Sequence, residues 1–188
     1  MGGAARSIRR SHHHHCRGDL PARRWPLIRI TPFAAHQVEG VVATILTIQR
    51  EEFGFTITRA DQPDLDDIPR FYQQGAGNFW VAIDGETVVG TIALQDLGDG
   101  NAALRKMFVA SNYRGPEHGA ARKLLDSLIA WSREHGLREI FLGTTDRFRA
   151  AHRFYEKNGF REITKAELPK NFHFMPVDTK FYRFSVAL

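Results

Sequence analysis

A single cysteine, Cys16, rules out an internal disulfide in this 188-residue chain, and its polar, arginine-rich surroundings supply no folded base to activate it as a nucleophile. No stretch approaches the ~18 consecutive apolar residues needed to cross a bilayer, and the N-terminus lacks the apolar block of a secretory signal. The expected location is therefore the cytoplasm, without a membrane partner. Charge of one sign is also scarce outside one segment. The formal net charge is +5, but residues 1–25 hold Arg6, Arg9, Arg10, Arg17, Arg23 and Arg24 against Asp19 alone, which leaves basic and acidic residues equal in number over the remainder. A neutral body offers no broad basic face, so nucleic acid is not the expected partner. The sequence has no Gly-Lys-Ser/Thr phosphate loop, and Gly75-Ala76-Gly77 precedes a predicted strand where a dinucleotide fingerprint needs a helix. His36, His118, His135, His152 and His173 stand apart from one another and from any Cys or acidic residue at ligand spacing, so no metal site is expected.

What is present divides in two. Residues 1–25, with Gly2-Gly3, the run His12 to His15 and scattered arginines, show no hydrophobic periodicity and read as a disordered basic extension. Residues 26–188 read as one domain, since 43% hydrophobic and 25% charged residues are ordinary for a globular chain of this length. Leu27 to Ile30 predicts a strand. Val38, Val41, Val42, Ile45 and Ile48 predict a helix, and a second, short helix is expected around Leu65 to Tyr72. Asn78 to Ile83, Thr87 to Leu94 and Ala102 to Ala110 predict a three-strand meander, its turns at Asp84-Gly85 and Gly98-Asp99-Gly100.

The period then changes. Ala121, Leu124, Leu125, Leu128, Ile129 and Ser132 mark one buried helical face that ends at Gly136. Ile140 to Leu142 predicts a buried strand, and strand, helix and strand together make a crossover whose two strands run parallel. A helix from Asp146 to Asn158 and strands over Phe160 to Ile163 and Val177 to Val186 complete the order βααβββαβαββ. The fold class is α/β: a mixed, mostly antiparallel central sheet flanked by helices.

Between the meander and the strongest helix lies Arg114-Gly115-Pro116-Glu117-His118-Gly119-Ala120-Ala121. Small residues let backbone approach a ligand closely, and the first N–H groups of a helix attract an anion, so a pyrophosphate fits here. On spacing alone the same stretch also reads as a plain strand-to-helix connection. Met107-Phe108-Val109 through Tyr113-Arg114-Gly115, followed by Gly119-Ala120-Ala121 and Leu124-Leu125, resembles the acetyl-CoA motif of the GNAT acetyltransferases, Gln/Arg-x-x-Gly-x-Gly/Ala. Counted back from Leu124-Leu125, Gly119 and Ala121 fill the two small positions. Pro116 falls where the family has its basic residue, and Arg114 stands two residues early, which implies a two-residue insertion in the loop. Arg153-Phe154-Tyr155-Glu156-Lys157-Asn158-Gly159-Phe160 resembles the second signature of the family. The matched features run from about Asn78 to Phe160.

The resemblance implies a GNAT fold in which acetyl-CoA, as co-substrate, lies in a splayed parallel strand pair. Its pantetheine would meet the backbone of Met107, Phe108 and Val109, and its pyrophosphate the loop residues Arg114, Gly115, Gly119, Ala120 and Ala121. His118, Arg122 and Lys123 could reach the anion or equally face solvent. Tyr155, which without the resemblance reads as a packed amphipathic side chain, inherits the role of acid on the departing thiolate, close to the coenzyme sulfur. The asparagine that the family carries seven residues earlier is here Phe148. The strand Ala102 to Ala110 holds no carboxylate, so the nominated general bases are Glu51 and Glu52, with Asp96 as a further contender. The implied activity is N-acetyl transfer to a primary amine, on a small molecule or a peptide, by direct attack in a ternary complex. A non-catalytic module that binds CoA or acetyl-CoA is the alternative, and a homodimer is left open.

Overall fold

A computed structural model describes residues 27–187, so the expectation for the basic extension lies outside the described residues. Seven strands form one sheet in the order β1-β2-β3-β4-β5-β7-β6. They are β1 (Arg29–Pro32), β2 (Asn78–Asp84), β3 (Thr87–Gly98), β4 (Asn101–Val109), β5 (Glu139–Thr144), β6 (Arg161–Ile163) and β7 (Lys180–Ser185). Helices α1 (Val38–Thr47), α2 (Ile68–Phe71), α3 (Ala120–Glu134) and α4 (Arg149–Lys157) complete the order βααβββαβαββ. All strand pairs are antiparallel except β4 with β5, as the crossover through α3 requires. The first helical region differs from the simple pair expected: α1 runs on into a wide turn over Ile48–Glu52, and α2 is reduced to a single turn entered through Pro69. No helix among the described residues is long and apolar enough to cross a membrane.

The sheet separates two cores. On one face α3 buries Leu124, Leu125, Leu128 and Ser132 against Trp80, Ala82, Val89, Ile92, Leu94 and Leu104. On the other, α1 sets Val41, Val42 and Ile45 on Phe79, Val81, Ile83, Val88 and Ala93. A third cluster on β4 and β5, Ala103, Phe141, Phe172 and Phe181, is roofed by the long connection from β6 to β7. The meander turns are tight. Asp84 pairs with Thr87, which puts the β2–β3 turn on Gly85-Glu86, one residue later than the Asp84-Gly85 reading. Asp99 and Gly100, both at positive φ, close β3 onto β4 in the backbone geometry that a two-residue hairpin prefers. At the far end of α3, Gly136 takes φ 68° and the Leu137 N–H reaches back to the Ser132 carbonyl at 2.9 Å, so the helix stops in a Schellman arrangement.

Two irregularities in β4 shape everything around it. Thr91 of β3 pairs with Phe108 while Ala93 pairs with Arg105, so Lys106 and Met107 together oppose the single residue Ile92. This bulge sits at Lys106, whose φ of 49° is uncommon for a residue with a long side chain, and the Thr91 hydroxyl donates to its carbonyl at 2.6 Å. On the other edge, β4 pairs with β5 only from Asn101↔Glu139 to Ala103↔Phe141, although both strands continue. Replacing Leu128, fully buried on the sheet-facing side of α3, by Ala is expected to lower stability by about 2–5 kcal/mol, read as a shift in the denaturation midpoint at unchanged slope.

Candidate active site at the split between β4 and β5

Once pairing stops at Ala103 and Phe141, the facing edges of β4 and β5 diverge while β5 stays bonded to β7 through Thr144. Diverging parallel strands leave backbone donors and acceptors along Leu104 to Val109 that an extended ligand with amide groups can satisfy as an extra strand would. Met107, Phe108 and Val109 lie at the open end of this slot. The Met107 and Val109 side chains join the α3 core and Phe108 joins the α1 core, so what these residues can offer along the slot is main-chain.

Beyond Val109 the chain makes one 3-10 turn, Ser111–Tyr113, and enters α3 through the loop 114–119. Gly119, the residue before the helix, adopts φ 62°, ψ 14°, no side chain caps the helix, and its first turn carries no acidic residue. The loop closes on itself through Gly119 N–H to the Gly115 carbonyl at 3.1 Å, with Gly115 at φ 100°. The amides of Ala120 and Ala121 thus begin a helix whose dipole and N–H groups are not spent on a carboxylate, in the place where an anion is stabilised. The insertion inferred from Pro116 falls within the turn residues of this loop, ahead of Gly119.

The charged residues of the loop are placed differently from one another. Arg114 turns back, donating from Nε to the Val109 carbonyl at 2.7 Å and pairing with Glu52 at 2.7 Å. Glu52, nominated as a base, therefore ties the turn after α1 to the phosphate loop, and its neighbour Glu51 is exposed. Arg122 pairs with Asp126 and donates to Asn158 at the end of α4, Lys123 reaches toward the Ile28 carbonyl at 3.5 Å, and the His118 ring lies 5.7 Å from that of Tyr113. Asp96 accepts from the amides of Ala76 and Gly98, at the paired end of the meander and away from Phe108.

Tyr155 lies in α4, 5% exposed, among Phe160, Tyr182 and Phe154. Burial pushes its phenol well above the ordinary range, so it stays protonated at any physiological pH, and no described residue takes its hydroxyl as a hydrogen-bond partner. Phe148, at the start of α4, packs on Phe53 at 4.2 Å and faces Phe55, with Arg147 over the Phe55 ring. An aromatic cluster thus joins the segment after α1 to the start of α4 at the place where a polar residue was sought.

A group of polar residues on the α1 face of β4 escaped the sequence reading. The Lys106 ammonium lies 3.1 Å from Asp64 and donates to Gln62 at 2.7 Å, while the Tyr72 hydroxyl donates to Asp64 at 2.6 Å and Gln62 exchanges bonds with Gln49. Burial is the leading cause that lowers the Lys106 ammonium below its ordinary range and raises the Tyr72 phenol above its own. Arg105 stacks its guanidinium on Phe172 at 4.6 Å and donates to the His173 carbonyl. The contacts of Lys106 and Arg105 join positions more than forty residues apart. The one local signal was the pair Arg105-Lys106 inside an otherwise apolar strand. Among the described residues no group of three His, Cys, Asp or Glu could hold a metal ion.

The sequence profile of the acetyltransferase (GNAT) family matches residues 42–160. A solved acetyltransferase of the GNAT family from Staphylococcus aureus Mu50 is 40% identical, covers 85% of this chain and 99% of its own, and superposes with a TM-score of 0.80. N-acetylaspartate synthetase from Danio rerio is 38% identical over 55% of this chain, and that match spans 37% of the synthetase. The N-acetylglutamate synthase from Neisseria gonorrhoeae, solved with coenzyme A and N-acetyl-glutamate, is 15% identical with a TM-score of 0.66, a likeness of fold alone, over 86% of this chain and 35% of its own. The chain spans less than half the length of the first curated relatives it matches. Removing the Glu52 carboxylate by Glu52→Ala is expected to change global stability by no more than about 1 kcal/mol, because the pair with Arg114 lies at the surface and is partly solvated. The same change is expected to speed amide exchange at Glu117 to Gly119, read by hydrogen exchange, since the tether from the turn after α1 is cut.

Proposed function

The chain belongs to the GNAT family of acetyltransferases, and on that premise we propose that it moves the acetyl group of acetyl-CoA to a primary amine in a single ternary complex. The observation that carries this reading is the uncapped start of α3 beside the β4/β5 split. One anion site and one strand-like slot in line with it suit a ligand that is a diphosphate at one end and a run of amides at the other.

In this reading the pyrophosphate rests on the amides of Ala120 and Ala121, with Gly119 leaving room for it, and the pantetheine follows the β4 edge along Met107 to Val109. Arg114 supports the loop through Glu52 and the Val109 carbonyl rather than by touching phosphate. The thioester then lies deep in the split, where a β4 amide can take the developing oxyanion. The acceptor must arrive as a neutral amine. Its nitrogen attacks the carbonyl carbon, the C–N bond forms, and the C–S bond breaks to give the amide and a thiolate. Two protons leave the nitrogen of an alkylammonium: one is lost before attack, and the second is balanced by the proton that the sulfur gains. Tyr155 suits the last step because burial keeps its phenol protonated until a basic thiolate forms beside it.

Tyr155→Phe is expected to lower kcat at least tenfold with acetyl-CoA affinity changed by no more than a few-fold, measured as thiol release and by calorimetry. Full turnover in that variant would remove Tyr155 as the acid. Gly119→Glu is expected to weaken acetyl-CoA binding more than tenfold, because it places a strained side chain and a like charge at the anion site. Wild-type affinity there would move the diphosphate elsewhere.

A further inference from the structure

On the face of the split away from α3, two opposite charges stand across from each other without touching. Arg105 is two residues beyond Ala103, and Gly143 two beyond Phe141, the last pair in register. The alternation along each strand therefore puts Arg105 on the same face as Ala103, and Arg105 and Asp178 are close enough across the diverging strands for each to feel the charge of the other. Against Gly143 lies Asp178, from the connection into β7: a Cβ at position 143 would stand 2.6 Å from Asp178 Oδ2, so only glycine lets that carboxylate sit on the β5 backbone. Asp178 is fixed by accepting from the Met175 amide at 2.8 Å, and the next residue is tied to β5 through Thr179 N–H to the Thr144 carbonyl at 2.9 Å.

Both groups are held for a purpose other than meeting each other. Arg105 gives one nitrogen to the His173 carbonyl and its face to Phe172, Asp178 takes the Met175 amide, and no ion pair joins the two. Each is near enough to feel the charge of the other, and burial works against the charge on both, lowering the Arg105 guanidinium and raising the Asp178 carboxyl. A planar guanidinium with donors to spare is the side chain best matched to a carboxylate. A carboxylate on a strand edge is matched to an ammonium.

We propose that Arg105 and Asp178 form the acceptor subsite, Arg105 binding a carboxylate of the incoming molecule and Asp178 its ammonium, so that the acceptor is an amine that also carries a carboxylate, an amino acid above all. This rests on the acetyl-transfer reading and deepens it. Asp178 holds the nitrogen at the β5 side of the slot and takes one proton from it, leaving a neutral amine facing the thioester. The proton passes to solvent after transfer. Lys106, one residue on, is already satisfied by Asp64 and Gln62 and adds positive potential without competing for Asp178. Polyamines and other wholly cationic acceptors meet two cations here and are disfavoured.

The test is thiol release from acetyl-CoA with matched pairs that differ only by a carboxylate, L-phenylalanine with phenethylamine and L-lysine with cadaverine, and with L-aspartate in addition. The amino acid of each pair is expected to exceed its decarboxylated partner at least tenfold in kcat/KM. Arg105→Met, which keeps length and packing on Phe172, is expected to raise the amino-acid KM at least tenfold, leave the decarboxylated amines within twofold and leave the acetyl-CoA KM unchanged. Arg105→Lys should restore part of the loss. Asp178→Asn keeps an oxygen for the Met175 amide and is expected to lower kcat at least tenfold for both members of a pair, since both present an ammonium. Thiol release without any carboxylate preference, or equal effects of Arg105→Met on both members, would overturn the subsite and leave acetyl transfer standing. Bound acetyl-CoA with no thiol release from any amine would overturn acetyl transfer itself, and the subsite with it.

Discussion

The parallel pairing of β4 with β5 ends after three residues, and the arrangement of the molecule follows from that early end. A parallel ladder is slanted and evenly spaced, and it ends when one strand curves away from its neighbour. The bulge at Lys106 gives β4 that curvature. It inserts an extra residue opposite Ile92 and increases the local twist, while the Thr91 hydroxyl holds the irregular carbonyl in place. β5 is kept from following by six consecutive pairs with β7. The split is thus a stress between two well-made ladders rather than a gap in a poor one, and the α3 core beneath it, closed by Leu104, Leu124 and Leu128, keeps it from collapsing.

The crossover then fixes where an anion is welcome. A right-handed strand–helix–strand unit brings α3 back over the sheet with its N-terminus at the end of β4, so the slot and the positive end of the helix dipole share one axis without further design. The sequence contributes mainly by omission: Gly119 in place of a capping side chain, no acid in the first turn of α3, and small residues at Ala120 and Ala121. Arg114 is a strut between Glu52 and the Val109 carbonyl.

Periodicity made the body of the fold readable before the structure, because most of its signals are local. The α3 stripe, the two hairpin turns and the order βααβββαβαββ depend on residues within a few positions of each other. The single turn of α2 was overestimated because Leu65, Ile68 and Tyr72 are all buried, and burial in a chain of short turns gives the same apolar count as a helix. The loop before α3 was readable for the same reason, being contiguous with its helix. The polar group on the α1 face was not: Lys106 meets Asp64 across 42 positions of sequence, and Arg105 meets the carbonyl of His173 from 68 positions away. Glu51 and Glu52 are visible as candidates from their place after the first helix, while Asp178, in the connection before β7, reaches the β5 edge only through space.

The charges around the bulge are costly where they are. Lys106 and Asp64 are 15% and 20% exposed at their side chains, and burying such a pair typically gains no more than well-packed apolar residues would. Arg105 and Asp178 lack even a direct bond to each other. An apolar surface on this face would fold at least as well, as Phe141, Phe172 and Phe181 beside it demonstrate. What charge adds is selectivity: in a partly desolvated slot a fixed cation and a fixed anion discriminate between molecules of similar shape far more strongly than area does. The Tyr155 phenol on the opposite face follows the same logic with the reverse outcome. It is buried largely among aromatic and aliphatic side chains, so burial suppresses its charge and preserves a proton. One strand therefore divides a region that tolerates ions from one that suppresses them, and the proposed transfer, which would begin with an ammonium and end with a thiol, would use both.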